Sequence, residues 1–331
     1  MTQSSDHKNV ITETILKLSR IAASLTLTCA ALAAPFAAQA AEKFPERPVT
    51  ILVGFPPGTS TDAIARILGE KLSAEWGQPI IVENKPGVGG SLAVSQLKRS
   101  KPDGHTLVLS ATAPMNINPW VYKDLNYDPL TDFEYIGQTT WLPYMLVTNK
   151  KKGLDSFSKI IDHAKKNPED LTFASIGMGT TSHLLMAMVM KETGTKMVHV
   201  PYKGSGQAQT DVIGGNVDMT FDTVVSTLPH VKEGRLQAIA VSTKSRAKLA
   251  PDVPTIDEEG IKDFNLGAWL GFFAPKGTPE SIITKIHTDL NAALEDPEVN
   301  KRLAALGSEV VSSASPQAFR EMVETNYRTW G

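Results

Sequence analysis

Cysteine is all but missing from this chain: Cys29 is the only one in 331 residues. It stands in an apolar run from Ile21 to about Ala34 that is preceded by Lys8, Lys17 and Arg20 and followed by Ala38-Gln39-Ala40. A basic start, an apolar middle and a small-x-small end make residues 1–40 an expected secretory signal, cleaved after Ala40. The run is about 14 residues, short of the roughly 20 that span a bilayer. A chain cut there carries no thiol, which excludes disulfides and a cysteine nucleophile. A surplus of one charge is missing too. Losing Lys8, Lys17, Arg20, Asp6 and Glu13 takes 33 basic and 35 acidic side chains to 30 and 33, and nothing in that balance points to nucleic acid. No second long apolar run follows, so an exported, soluble protein is expected.

The familiar signatures of catalysis are absent as well. No two histidines are spaced as in H-x-x-x-H, so no zinc site is readable. There is no G-x-S-x-G elbow and no G-x-x-x-x-G-K-[ST] loop. The expectation is a protein that is not an enzyme, with no cofactor and no metal.

What is present is alternation. Short β-branched or apolar runs at 49–55, 79–83, 105–110, 171–175, 197–201, 217–222 and 236–242 are separated by amphipathic stretches. Ile64, Ile67, Leu68 and Leu72 recur at helical spacing, as do Leu184, Leu185, Met188 and Val189. This is the pattern of an α/β protein with mainly parallel sheet. Two long extended segments, 134–149 and 264–277, interrupt it, each with a tryptophan near its middle, Trp141 and Trp269. Two crossings of the chain between two lobes would produce such segments. One lobe is therefore expected from 44–143 plus 268–331 and the other from 144–267. The last stretch, 279–330, reads as helices, with Pro297 and Pro316 at or near helix starts.

Three strand-to-helix turns carry the candidate chemistry. In VGFPPGTSTD (53–62) two prolines and Gly58 lead into hydroxyl residues, with Ser60 placed to cap the helix and Asp62 to meet its dipole. In SIGMGTTSHLL (175–185), Gly177 and Gly179 allow close backbone approach, and Thr180, Thr181 or Ser182 can cap the helix. Read as G-x-G-x-x-S it lacks the third glycine of a dinucleotide fingerprint, and no acid ends the next strand. In VPYKGSGQAQTD (200–211), Lys203 and Gly204 precede a third helix, while Asp222 ends a strand. All three turns lie beyond the carboxyl ends of their strands, the ligand edge of open α/β sheets. Backbone N–H groups and hydroxyls at helix starts suit a small anion. A carboxylate fits better than a phosphate, which would more often draw arginine or lysine into the loop.

With these motifs in view the sequence resembles the extracytoplasmic solute receptors of tripartite tricarboxylate transporters, the Bug or TctC-like proteins. The resemblance rests on FPERPVTILVGFPPGTSTDAIAR (44–66), VENKPGVGG (82–90), KPDGHTL (101–107), GMGTTSHL (177–184), HVPYKGSGQAQTD (199–211), PHVKEGRLQAIAVS (229–242), VPTIDEEG (253–260) and FFAPKGTPESI (272–282). It implies a two-lobed periplasmic binding fold of type II character, hinged between the lobes and closing on a carboxylated small molecule. By position it carries a ligand site onto Phe55, Gly58, Thr59 and Ser60, then Ala111 and Thr112. From the second lobe it carries Gly179, Thr180, Thr181 and His183, then Lys203, Gly204 and Asp222. Trp141 is added as a residue that flanks an aromatic or elongated diacid, packing between the lobes being its alternative.

The family has a second glycine where this chain has Thr59, and the threonine is read as an extra donor. The implied partners are the small and large membrane subunits of the transporter, with the receptor itself a monomer. A sensor subunit presenting its ligand to a membrane kinase, or a secreted hydrolase using the same cleft, are the alternatives. The hydrolase requires a nucleophile–base pair that the sequence does not show.

Overall fold

Apolar residues at every position of β1 (Val49–Val53) but one bury it on both faces, as a central parallel strand requires. In the computed structural model, which describes residues 44–150 and 152–331, it lies between β2 (Ile80–Asn84) and β3 (Thr106–Ala111), parallel to both. Between them run α1 (Ser60–Trp76) and α2 (Ser91–Lys98). A π turn at Ala113–Ile117 and a single helical turn, α3 (Asn118–Val121), follow β3. The signal expected over 1–40 lies outside the described residues, and Pro45–Gly331 forms one compact unit.

β4 (Phe133–Thr148) is the first crossing. Its first part pairs antiparallel with β9 (Gly267–Pro275), the second crossing, which in turn pairs antiparallel with β3. From Tyr144 onward β4 joins a second sheet, flanked by β7 (Met219–Thr223) on one side and β8 (Gln237–Val241) on the other, both antiparallel to it. The rest of that sheet is parallel: β5 (Thr172–Ser175) pairs with β7 and with β6 (Val198–Pro201). The second sheet is flanked by α4 (Phe157–Lys166), α5 (Thr181–Thr193), α6 (Ser205–Gly214) and α7 (Val224–Lys232). Each lobe thus has a parallel trio, as the alternation implies, but the crossing strands run back against it and make both sheets mixed.

The chain then returns to the first lobe through α8 (Glu280–Glu295), α9 (Pro297–Ala305), a two-residue strand β10 (Glu309–Val310) on β4, and α10 (Pro316–Trp330). Pro297 and Pro316 are the first residues of α9 and α10, where a missing N–H costs nothing, and Asp296 and Ser315 cap them. Trp269, Phe273 and Phe319 meet in the core of the first lobe, Trp269 edge-on to Phe319 at 5.6 Å between ring centres.

Candidate functional site

The turns singled out in the sequence sit at the carboxyl ends of β1, β5 and β6, and all three face one cavity between the lobes. A fourth joins them, because β7 also ends there and α7 starts from Thr223. The helix N-termini at Ser60, Thr181, Ser205 and Val224 therefore converge, and Thr59, Ser60, Thr61, Thr180, Thr181, Gly204, Ser205 and Thr223 line the space. Each start carries N–H groups with no intrahelical partner and the positive end of a helix dipole. No side chain caps α5 or α6. No lysine or arginine lines the cavity, so its attraction for an anion comes from the backbone and hydroxyls.

The first turn is held by its own acid. Burial opposes ionisation of Asp62, but bonds from Arg66, the Gly58 N–H (2.9 Å) and Asn84 (2.9 Å) outweigh it and hold its carboxyl below the ordinary range. Gly58, at φ 83°, is the position that needs glycine. Thr59, not Ser60, is the helix cap: its φ is an ordinary −76°, its Oγ1 accepts from the Asp62 N–H, and its own hydrogen goes to Pro56 O at 2.9 Å. The extra donor expected of Thr59 is thus spent inside the loop. Ser60 is left for the cleft, where its Oγ lies 2.9 Å from Thr223 Oγ1 of the other lobe. Since Thr223 donates to Ser226 Oγ at 3.0 Å, Ser60 is the donor across the cleft.

Asp222 is fully buried in the cavity wall, and burial pushes its carboxyl pKa up against the bonds it accepts from Gln209 (2.9 Å), Ser205 and the Thr223 N–H (2.7 Å). Tyr144 stands near it, its hydroxyl also pushed up, by burial first and by Asp222 second. The cavity has a volume of about 30 Å³. That is room for a carboxylate-sized group or roughly two waters. Beyond Phe55 and Ile176, which both spaces share as walls, a chamber of about 580 Å³ opens.

A family model described as "Tripartite tricarboxylate transporter family receptor" matches residues 64–331. The chain belongs to that family. It is a receptor family, and this receptor is not an enzyme. The solved periplasmic binding protein BugD is 35% identical, with a TM-score of 0.80 over 87% of this chain and 96% of its own. An R. palustris protein solved with adipate is 31% identical, with a TM-score of 0.83 over 87% and 96%. MatC from Rhodopseudomonas palustris with bound malate is 31% identical, with a TM-score of 0.81 over 87% and 98%. The receptor thus has the two-lobed fold of periplasmic binding proteins.

Of the residues carried onto the site, Phe55, Thr59, Ser60, Ala111, Thr180, Thr181, Gly204 and Asp222 line the cavity. Gly58 lies outside it on the exposed part of the first turn, and Thr112 stands behind it, its Oγ1 accepting from the Trp269 N–H at 2.9 Å. Gly179 lies where the lobes touch: a Cβ there would come 2.9 Å from Asn118 Oδ1. His183 accepts from the Gly179 N–H at 3.3 Å and stacks on His199 at 4.1 Å, so it braces the turn from behind. Lys203 faces the outer chamber instead.

Trp141 lines neither space. Successive side chains of a strand point to opposite faces. Leu142 and Tyr144 of β4 and Ala268 and Leu270 of β9 point into the cavity, which turns Trp141 and Trp269, paired in register, away from it. Trp141 packs beside the first-lobe core and over Gly267. Sequence reading missed these four inward residues, for which the parity of the two tryptophans is the signal that could have found them. It also missed Thr61, Ala113, Ile176, Ser205 and Thr223, which adjoin residues it had singled out.

Proposed function

We propose that this receptor captures a small carboxylate in the inter-lobe cavity and delivers it to the membrane subunits of a tripartite tricarboxylate-type transporter. The observation that carries the reading is the convergence of four helix N-termini on a cation-free cavity the size of a carboxylate. Adipate and malate in two relatives of the same fold support it. In this reading the chain is exported by the signal over 1–40 and works as a periplasmic monomer. The lobes are 44–143 plus 268–331 and 144–267, and they close by a hinge in the two crossing strands. Ser60, Thr180, Thr181 and Gly204 form the clasp, and Gly58 and Thr59 shape the first turn that carries Ser60.

A thermal-shift screen of the purified protein against mono-, di- and tricarboxylates, sugars and NAD(P)H tests this. A ligand at 100 times its dissociation constant adds about 2.7 kcal/mol to stability. Shifts confined to a few acids are expected, and a shift with a sugar or nucleotide alone would overturn the reading.

A further inference from the structure

The inner cavity, at about 30 Å³, holds one carboxylate and little more. The rest of any bound acid has to lie in the chamber of about 580 Å³ outside it. That chamber is walled by Phe55, Pro56, Val88, Ile176 and Met178 and by the rings of two tyrosines. The tyrosine hydroxyl hydrogens are spent, Tyr122 donating to Met178 O at 2.7 Å and Tyr202 to Asp211 at 2.5 Å, so both present apolar faces.

The chamber is a built space and no accident of loop ends. Asn118 Nδ2 donates to Val88 O (3.1 Å) and Gly89 O (3.2 Å), and a Cβ on Gly90 would stand 3.2 Å from the Phe55 ring. Val88 is held at φ 49°, which a β-branched residue adopts only when its surroundings impose it. In this apolar wall the one charged lining residue is Lys203, which has no carboxylate or hydrogen-bond partner among the described residues. Two residues on, Ser205 lines the inner cavity, so the two sites are separated by about 7 Å of backbone at most.

We propose that the outer chamber is the second half of the ligand site, with Lys203 holding the far anionic group of an elongated diacid whose apolar chain crosses Phe55 and Ile176. This rests on the carboxylate reading above and adds the class of acid and the residue that selects it. A free ammonium beside an apolar wall discriminates against a ligand that ends in a methyl group.

Calorimetric titration with adipate and suberate, each against its monoacid, hexanoate or octanoate, tests the assignment. Succinate and citrate are run beside them, on the wild type, Lys203→Met and Lys203→Arg. The wild type is expected to prefer each long diacid to its monoacid by tenfold or more. Lys203→Met should bring that ratio to near one, and Lys203→Arg should keep most of it. Lys203 is exposed, and melting curves of the variants confirm that they fold. A wild-type ratio retained by Lys203→Met, or binding confined to succinate or citrate, would overturn the inference and leave the carboxylate reading standing. No binding of any acid would overturn both.

Discussion

Ser60 reaches across the cleft because its neighbour Thr59 has taken the capping position, and the cleft owes a buried hydroxyl–hydroxyl bond to that division of labour. Ser60→Ala removes the bond yet leaves Thr223 its contact with Ser226. The expected cost to ligand binding is about 1 kcal/mol, roughly a fivefold rise in dissociation constant by calorimetry. Asp222 is the other residue whose role follows from burial. Its folded pKa lies above the unfolded value of 3.8, so its charge costs stability above the folded pKa, and that cost fades as pH falls towards 3.8. A carboxylate ligand meets the same charge, so affinity should rise as pH falls through the Asp222 pKa. Asp222→Asn should flatten that rise in titrations across pH. The candidate residues that presented hydroxyls or glycines at strand ends could be read in the sequence. That Thr59 rather than Ser60 caps the helix could not, because both fit a cap and only the path of Pro56-Pro57-Gly58 decides between them.

Within the second lobe, Phe173, His199 and His183 stack behind the turn at 175–183, with His199 Nε2 2.6 Å from Ser175 Oγ. Burial, and then the neighbouring His183, lower the His199 pKa from 6.5 to about 4. A histidine held neutral by the fold contributes stability that is complete above 6.5 and lost as pH falls towards 4. Denaturant unfolding across that window should show wild-type stability falling with pH, and His199→Phe, which keeps the stack, should reduce the slope. In the first lobe a Cβ on Gly54 would stand 2.5 Å from Gly90 O, backbone against backbone. Gly54→Ala is expected to cost about 1–3 kcal/mol, read as a lowered melting temperature. The parallel strands of both sheets were legible from their apolar runs and the terminal helices from their prolines, but the two-residue β10, lying within the stretch read as helices, was not. The antiparallel return of β4 and β9 was not, since a long extended segment says that the chain crosses but not which strands receive it. The same gap hid Leu142, Tyr144, Ala268 and Leu270, whose facing depends on where the crossings lie.

Across the whole molecule the lobes meet over the cleft at few places, among them Ser60 with Thr223, Tyr122 with Met178, Gly179 beside Asn118 and Pro56 beside Gly204. Few interlobe bonds suit a clamp that must reopen, since each contributes only about 1 kcal/mol net. Tyr122→Phe should therefore favour the open form, seen as weaker ligand binding with an unchanged melting temperature of the ligand-free protein. The central claim is that backbone and hydroxyl donors at four helix starts hold a carboxylate without a cation. It is tested most directly by calorimetry with the tightest acid of the screen and its neutral primary amide, identical in skeleton. The account predicts that the amide binds at least 100-fold more weakly, the loss of charge-assisted bonds worth about 1.5–3 kcal/mol each. Equal affinity for acid and amide would contradict it.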